Sequence, residues 1–232
     1  MRQITKGAEP VELTFWKAEN RSLPNNCYAS LTAELRQAIR VNLISEQKGL
    51  CAYTGRRIGL ETCHIEHLRP QEHCGDDEDV DYRNLVAGVP APNAPRLPYG
   101  AHRKDNWPSR ADEHLFVSPL TVQCGTRFSF GLNGGIEARN VGDLAAKETI
   151  KRLGLNDSTL VQLRKAAIEA TLQIRGRGRG SLGIADARRR LRMLEDAERQ
   201  AGTLEPYSFV LAQALGAHIR RIEKIREGRG RK

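Results

Sequence analysis

Cys63-His-Ile-Glu-His-Leu-Arg-Pro70 is the stretch of sequence that says most about the fold. Its residues favour an extended strand, predicted over Glu61–Leu68, that ends at the proline. Successive side chains of a strand point to opposite faces. The pattern therefore predicts His64 and Glu66 on one face and His67 on the other.

Two later segments add polar groups to this strand. Tyr82-Arg-Asn-Leu85 contributes an amide and Ala101-His-Arg-Lys104 a further imidazole. A carboxylate beside a histidine, with another histidine 35 residues on, suits a hard divalent metal with an activated water. In such a site the carboxylate and one imidazole hold the metal, and the other imidazole takes the proton of the water. The residues thus predict hydrolytic metal chemistry.

The spacing of these groups resembles that of the HNH endonucleases, which have a ββα-metal fold. The family pattern is an acidic residue, His, an aliphatic residue, any residue and Pro, then Asn-Leu, then Cys-His or Cys-Asn before a Lys. The corresponding segments here are Glu66-His-Leu-Arg-Pro70, Asn84-Leu85 and Ala101-His-Arg-Lys104. The resemblance implies a ββα-metal core.

Five further pieces narrow the resemblance to the retron-associated and Septu-type (PtuB-like) HNH proteins of bacterial anti-phage defence. They are Ile4-Thr-Lys-Gly-Ala-Glu-Pro10, Cys51-Ala-Tyr-Thr-Gly-Arg-Arg-Ile58, Cys63-His-Ile-Glu-His67, Phe116-Val-Ser-Pro-Leu120 and Leu153-Gly-Leu-Asn156. The matches run from about residue 4 to about residue 170, and the residues after about 175 match no pattern.

The resemblance implies a role for each matched residue. His67 is the general base, and Glu66 and His102 hold one Mg²⁺ or Mn²⁺ ion per active site. Asn84 bonds backbone groups and so aims His67, and His64 is an additional ligand or orienting residue. These assignments are expectations that the structure can examine.

The third ligand is open at this point, because Val89–Pro98 lengthens the gap before His102 and Asn93 competes with it. A structural zinc is not expected. Of the two Cys-x-x-Cys pairs that hold zinc in many HNH proteins, only Cys51 is present.

The net charge of +9 raises the expectation of a polyanionic partner. Residues 172–232 contain 15 Lys/Arg and seven Asp/Glu, which leaves only +1 for the rest of the chain. The predicted phosphate contacts are all positively charged and lie either in the third motif or in an Arg-Gly run: Arg103, Lys104, Arg175, Arg177 and Arg179. For the Arg-Gly run, a plain solvated linker is an equal alternative.

Apolar spacing, capping residues and a turn signal predict the other elements. Helices are expected over residues 29–48, 142–153, 156–174, 184–200 and 206–225. A second strand is expected near Leu85–Val89, and Asn133-Gly-Gly135 predicts a hairpin.

We expect a mostly helical α+β protein, with a ββα-metal HNH core flanked by an N-terminal helix and C-terminal helices. The predicted domains are an N-terminal helical segment (1–48), a nuclease core with the following hairpin (49–136), a helical segment (137–174), and a basic linker with C-terminal helices (175–232). There is no secretory signal or membrane span, which favours a cytoplasmic protein without a membrane partner.

The expected activity is metal-dependent hydrolysis of nucleic acid. DNA is the first expectation, with tRNA or other RNA open. The resemblance implies a toxic effector of a defence complex, partnered by an ABC-type (PtuA-like) ATPase and in some systems by a reverse transcriptase with its RNA–DNA hybrid. The alternative is a non-catalytic nucleic-acid-binding or scaffold subunit of such a complex.

Overall fold

The computed structural model describes residues 1–20, 28–173 and 182–229. Within them lie seven α-helices and four short strands, which confirms the mostly helical α+β class. In chain order these are α1 (Val11–Glu19), α2 (Ala33–Glu46), β1 (His64–His67), β2 (Leu85–Gly88), α3 (Ala101–Lys104), β3 (Phe128–Phe130), β4 (Ile136–Ala138), α4 (Leu144–Arg152), α5 (Ser158–Thr171), α6 (Ile184–Arg199) and α7 (Ser208–Arg229).

Strands β1 and β2 form an antiparallel pair in which His64 lies opposite Gly88 and His67 opposite Leu85. The predicted first strand is thus confirmed but starts later, because Gly59 and Thr62 form a turn before it. Strand β2 is buried along its whole length. Gln47 directly follows α2, and its buried side-chain amide donates to the carbonyl of Ala87 and accepts from the N–H of Ala87. These two hydrogen bonds anchor the strand pair to the preceding helix.

The predicted hairpin is confirmed as β3 and β4, and Gly134 shows why its turn needs glycine. This residue has a φ of +83°, and a Cβ there would lie 2.2 Å from the carbonyl oxygen of Val161. The fully buried guanidinium of Arg164 donates to the carbonyls of Gly134 and Leu155 at 2.7 and 2.6 Å. The turn is therefore held directly against α5.

The five predicted helices are confirmed, with ends that differ by a few residues. Thr32 caps α2 by accepting a hydrogen bond from the backbone N–H of Leu35, so the helix begins later than predicted. Helix α1 was not predicted, because only Leu13 on it is fully buried and its apolar spacing is weak. Helix α3 has four residues, too few to show a period.

Two groups of buried apolar side chains form the core. The smaller group joins α2 to the β1–β2 pair through residues such as Ile39, Leu43 and Leu85. The larger group joins β3, β4 and the later helices, and it includes Tyr53 as well as Leu211 of α7. The domain boundaries proposed from the sequence stay a prediction. No helix in the described part of the chain is both long and apolar enough to span a membrane.

Candidate functional site

Strand β1 sends its polar side chains to two different sides. His64 and Glu66 are partly exposed, while Ile65 and His67 between and after them are buried, which is the alternation that the sequence predicts. The Nε2 atom of His64 and Oε2 of Glu66 are 3.6 Å apart. One face of β1 therefore carries a carboxylate–imidazole pair.

The other oxygen of Glu66 is held by protein groups. Oε1 lies 3.0 Å from Nζ of Lys104 and accepts a hydrogen bond from the Tyr53 hydroxyl at 3.2 Å. Burial alone would raise the pKa of Glu66, but Lys104 and His64 outweigh it and lower the pKa to about 2. The carboxylate is thus ionised at neutral pH, with Oε2 directed towards His64.

His64 carries its proton on the side away from Glu66. Its Nδ1 lies 2.5 Å from the carbonyl oxygen of Pro90, so Nδ1 donates and Nε2 presents a lone pair in the neutral ring. This is the tautomer of metal-binding histidines, whose second nitrogen donates to a carbonyl or carboxylate. Burial disfavours the imidazolium, but Glu66 and the Pro90 carbonyl raise the pKa of His64 overall. The site therefore stabilises the imidazolium form, and a metal ion at Nε2 would have to replace that second proton.

The ring of His102 on α3 stacks on that of His64, with centroids 5.6 Å apart and planes 16° apart. Its Nδ1 accepts a hydrogen bond from the backbone N–H of Leu97 at 3.1 Å, so the neutral ring has its proton on Nε2. Burial and the His64 ring lower the pKa of His102. In this tautomer His102 lies beside the pair without offering it an Nε2 lone pair. The competing residue Asn93 is exposed in its loop.

His67 lies on the opposite face of β1, in a buried position. Its Nε2 donates to the carbonyl oxygen of Asp79 at 2.8 Å, and Tyr28 packs edge-on against the ring with centroids 4.8 Å apart. The amide nitrogen of Gln71 lies 3.4 Å from both Nδ1 and Nε2. Burial lowers the pKa of His67, so the ring is neutral at pH 7 and Nδ1 carries the lone pair. This is the state that a proton acceptor requires.

Asn84 holds the loop that follows β1. Its Oδ1 accepts from the backbone N–H of Arg69 at 2.7 Å, and its Nδ2 donates to the carbonyls of Arg69 and Glu78, both at 3.1 Å. The side chain thus bonds the segment directly after His67 in both directions. It touches backbone groups, so its role is to position this loop.

Comparison with known proteins supports the resemblance. No protein-family model matches the chain. Over 182 residues, however, it is 26% identical to the "Retron Vc95 putative HNH endonuclease" of Vibrio cholerae serotype O1 biovar El Tor, and the match covers 75% of this chain and 85% of that protein. The chain is therefore similar to a protein that is named as an HNH endonuclease of a retron. The resemblance to retron-associated HNH proteins that its motifs indicated is confirmed.

The residues that were expected to contact phosphate lie in different environments in the structure. Lys104 is buried, and its ammonium donates to Glu66 and to the carbonyl of His67 at 2.8 Å. It is therefore not presented to a phosphate in this structure, and we assign it to holding Glu66. Arg103 is exposed at a groove of about 620 Å³ that Lys151 and Arg152 of α4 also line. The residues of the Arg-Gly run, Arg175, Arg177 and Arg179, lie outside the described residues.

Sequence reasoning missed two side chains of the site. Tyr53 bonds Glu66, and its only signal was its place in one of the pieces that carried the family resemblance. Gln71 faces His67, and nothing in its pattern distinguished it from a surface glutamine. In residues 1–20, 28–173 and 182–229, no three His, Cys, Asp or Glu side chains are close enough together to hold one ion. Oε2 of Glu66 and Nε2 of His64, 3.6 Å apart, are two potential donor atoms.

Proposed function

We propose that this chain is a metal-dependent HNH endonuclease that hydrolyses phosphodiester bonds of nucleic acid, with DNA as the first candidate substrate. The observation that carries the proposal is the division of β1 into two faces. One bears the ionised Glu66, whose Oε2 lies 3.6 Å from Nε2 of His64, and the other bears a neutral His67 whose Nε2 donates to a carbonyl. These are the groups that metal-assisted hydrolysis requires.

The order of elements supports a ββα-metal core. Strands β1 and β2 pair antiparallel and α3 follows them, with Lys104 of α3 donating to both Glu66 and the His67 backbone. In this proposal β1 supplies the reactive groups. Asn84 fixes the loop after β1, and α3 closes the site.

The Glu66–His64 pair fits a hard divalent cation such as Mg²⁺ or Mn²⁺. Two donor atoms about 2.1 Å from one ion, at an angle of about 90–120°, are about 3.0–3.6 Å apart, which the separation of Oε2 and Nε2 matches. Ions of this kind keep several water or phosphate ligands, so two protein ligands suffice. When bound, the ion would stabilise negative charge on the scissile phosphate. His102 would join as a third ligand only after its proton moves from Nε2.

His67 is the proposed general base. Its Nε2–H is fixed on the Asp79 carbonyl, which leaves Nδ1 to take a proton from the attacking water. The growing positive charge on the ring is offset by that same carbonyl. Gln71 lies against Nδ1 in this structure, so its amide has to yield its place to the water.

The partners are proposed on the resemblance and on the name of the relative, which places that protein in a retron. We propose that this chain acts in a comparable defence complex, beside a PtuA-like ABC-type ATPase and, in a retron, a reverse transcriptase with its RNA–DNA hybrid. The likeness to Septu-type proteins rests on the sequence motifs.

The first prediction is cleavage that requires the metal. Purified protein with Mn²⁺ or Mg²⁺ should nick or linearise supercoiled plasmid, and EDTA should reduce the rate to background, because charge on the scissile phosphate is then unopposed. Gel assays with plasmid, linear duplex and tRNA measure this and rank the substrates. Since effectors of this kind are expected to be restrained, the assay is run with and without the partner ATPase. Cleavage at the same rate in EDTA contradicts the proposal.

The second candidate function is a non-catalytic nucleic-acid-binding or scaffold subunit. One observation favours it: each reactive group already has a protein partner, since Lys104 bonds Glu66 and Gln71 faces His67. Its signature is salt-sensitive DNA binding that survives chelation, with no cleavage in any combination of partners.

The second prediction concerns the groove beside α3, which we propose as a track for the phosphate backbone. The double substitution Lys151→Glu and Arg152→Glu should weaken binding of a short duplex about tenfold or more at low salt, because two favourable charges become repulsive. Fluorescence anisotropy measures this, with Mn²⁺ binding unchanged. Lys165→Glu on α5 controls for reversal of one charge outside the groove and should bind as the wild type does. Equal affinity of the double variant would remove the groove from the interface.

A further inference from the structure

The side chain of Lys104 is 1% exposed, and it ends at the centre of the candidate site. Its ammonium donates to Oε1 of Glu66 at 3.0 Å and to the backbone carbonyl of His67 at 2.8 Å. The lysine therefore touches the side chain of the proposed metal ligand and the backbone of the proposed base. A buried charge is costly to keep, and here it is kept next to these two residues.

The element that carries Lys104 is fixed at both ends. Gly100 precedes α3 with a φ of +71°, and its N–H donates to the carbonyl of Leu153 at 2.7 Å. After the helix, the N–H of Trp107 donates to the carbonyl of Lys104 at 3.0 Å, and the buried Trp107 ring packs against Phe116 with centroids 5.3 Å apart. Because the backbone on both sides of α3 is anchored, the ammonium of Lys104 has a fixed position in the site.

The contact has two opposite consequences for a divalent ion at Glu66. Lys104 and Tyr53 hold Oε1, which aims Oε2 at His64 and so orients a ligand. The positive charge of Lys104 also repels a divalent ion within a few ångströms, by more than about tenfold in affinity even with the screening of bulk water. Removing the charge while keeping a hydrogen-bond donor separates the two effects.

We propose that Lys104 is a positioning residue and an internal counter-cation that holds the affinity of the Glu66–His64 pair for divalent metal low. It ties Glu66 to the backbone of His67, and its charge keeps the metal weakly bound until an anionic phosphate enters and offsets it. The inference rests on the proposed function, because it concerns the metal that this function uses.

The test is Mn²⁺ binding, measured by calorimetry on the full chain without nucleic acid. Lys104→Gln keeps a donor and removes the charge, so its Mn²⁺ affinity should rise about tenfold or more, while its cleavage rate falls because His67 is held less firmly. Lys104→Arg keeps the charge and should bind Mn²⁺ within about threefold of the wild type. Lys147→Gln, at an exposed lysine of α4, is the control for loss of one positive charge.

Thermal melting establishes that each variant is folded, and Lys104→Met replaces Lys104→Gln if the latter does not fold. The inference is overturned if the charge-removed protein binds Mn²⁺ no more tightly than the wild type does. It is also overturned if the Mn²⁺ affinity of Lys104→Arg differs strongly from that of the wild type. Failure of the proposed function is separate: it appears as wild-type protein that binds Mn²⁺ and cleaves nothing, with or without the partner ATPase. Mn²⁺ binding by neither the wild type nor the charge-removed variant overturns both.

Discussion

Replacing His67 by alanine should reduce the cleavage rate about 10²- to 10⁴-fold while leaving Mn²⁺ binding close to that of the wild type. The reason is the position of the ring, which faces away from the Glu66–His64 pair and has its Nε2–H fixed on Asp79. Its loss removes the proton acceptor but no metal donor. Plasmid cleavage and Mn²⁺ calorimetry on the same protein measure the two effects.

The substitution also leaves the Asp79 carbonyl without its donor and opens space beside Tyr28. We expect a loss of about 1–3 kcal/mol in the free energy of unfolding, so the assay is run well below the melting temperature. His114→Ala, at an exposed histidine, is the matched control and should cleave normally. Loss of Mn²⁺ binding in His67→Ala would contradict the division of β1 into two faces.

Replacing Glu66 by glutamine should strongly weaken both metal binding and cleavage. The carboxylate is the only charged donor of the proposed pair, and its pKa of about 2 shows that the site stabilises the anion. A neutral amide of the same size offers a divalent ion a far weaker ligand, so we expect Mn²⁺ affinity to fall about a hundredfold or more. Calorimetry measures the binding and the plasmid assay measures the cleavage.

Glu72→Gln is the matched control for this change, since Glu72 is an exposed carboxylate in the loop after β1. It should bind Mn²⁺ and cleave as the wild type does. Undiminished Mn²⁺ binding in Glu66→Gln would move the metal site elsewhere in the chain.

The two-faced strand was predictable because a β-strand has a fixed period of two. Once His64, Glu66 and His67 are placed on one strand, their directions follow from the backbone alone. The helices with strong apolar spacing were predictable because an α-helix also has a fixed period, of about 3.6 residues. Helix α3 was not, since a four-residue helix is set by its clamped ends.

The partners of the site residues were not predictable, because they depend on where backbone groups of the loop between β2 and α3 lie in space. The carbonyl of Pro90 sets the tautomer of His64, and the N–H of Leu97 sets that of His102. Lys104 looked like a surface cation because it follows Arg103 in a basic turn. Only the three-dimensional arrangement shows that one side chain is exposed and the other buried.

The cleavage rate of His67→Ala at saturating Mn²⁺ tests the central claim most directly. The saturating concentration is taken from the Mn²⁺ binding isotherm of the variant itself. The account predicts a protein that binds the metal as the wild type does and cleaves at least about a hundredfold more slowly. A variant that cleaves at the wild-type rate would contradict it.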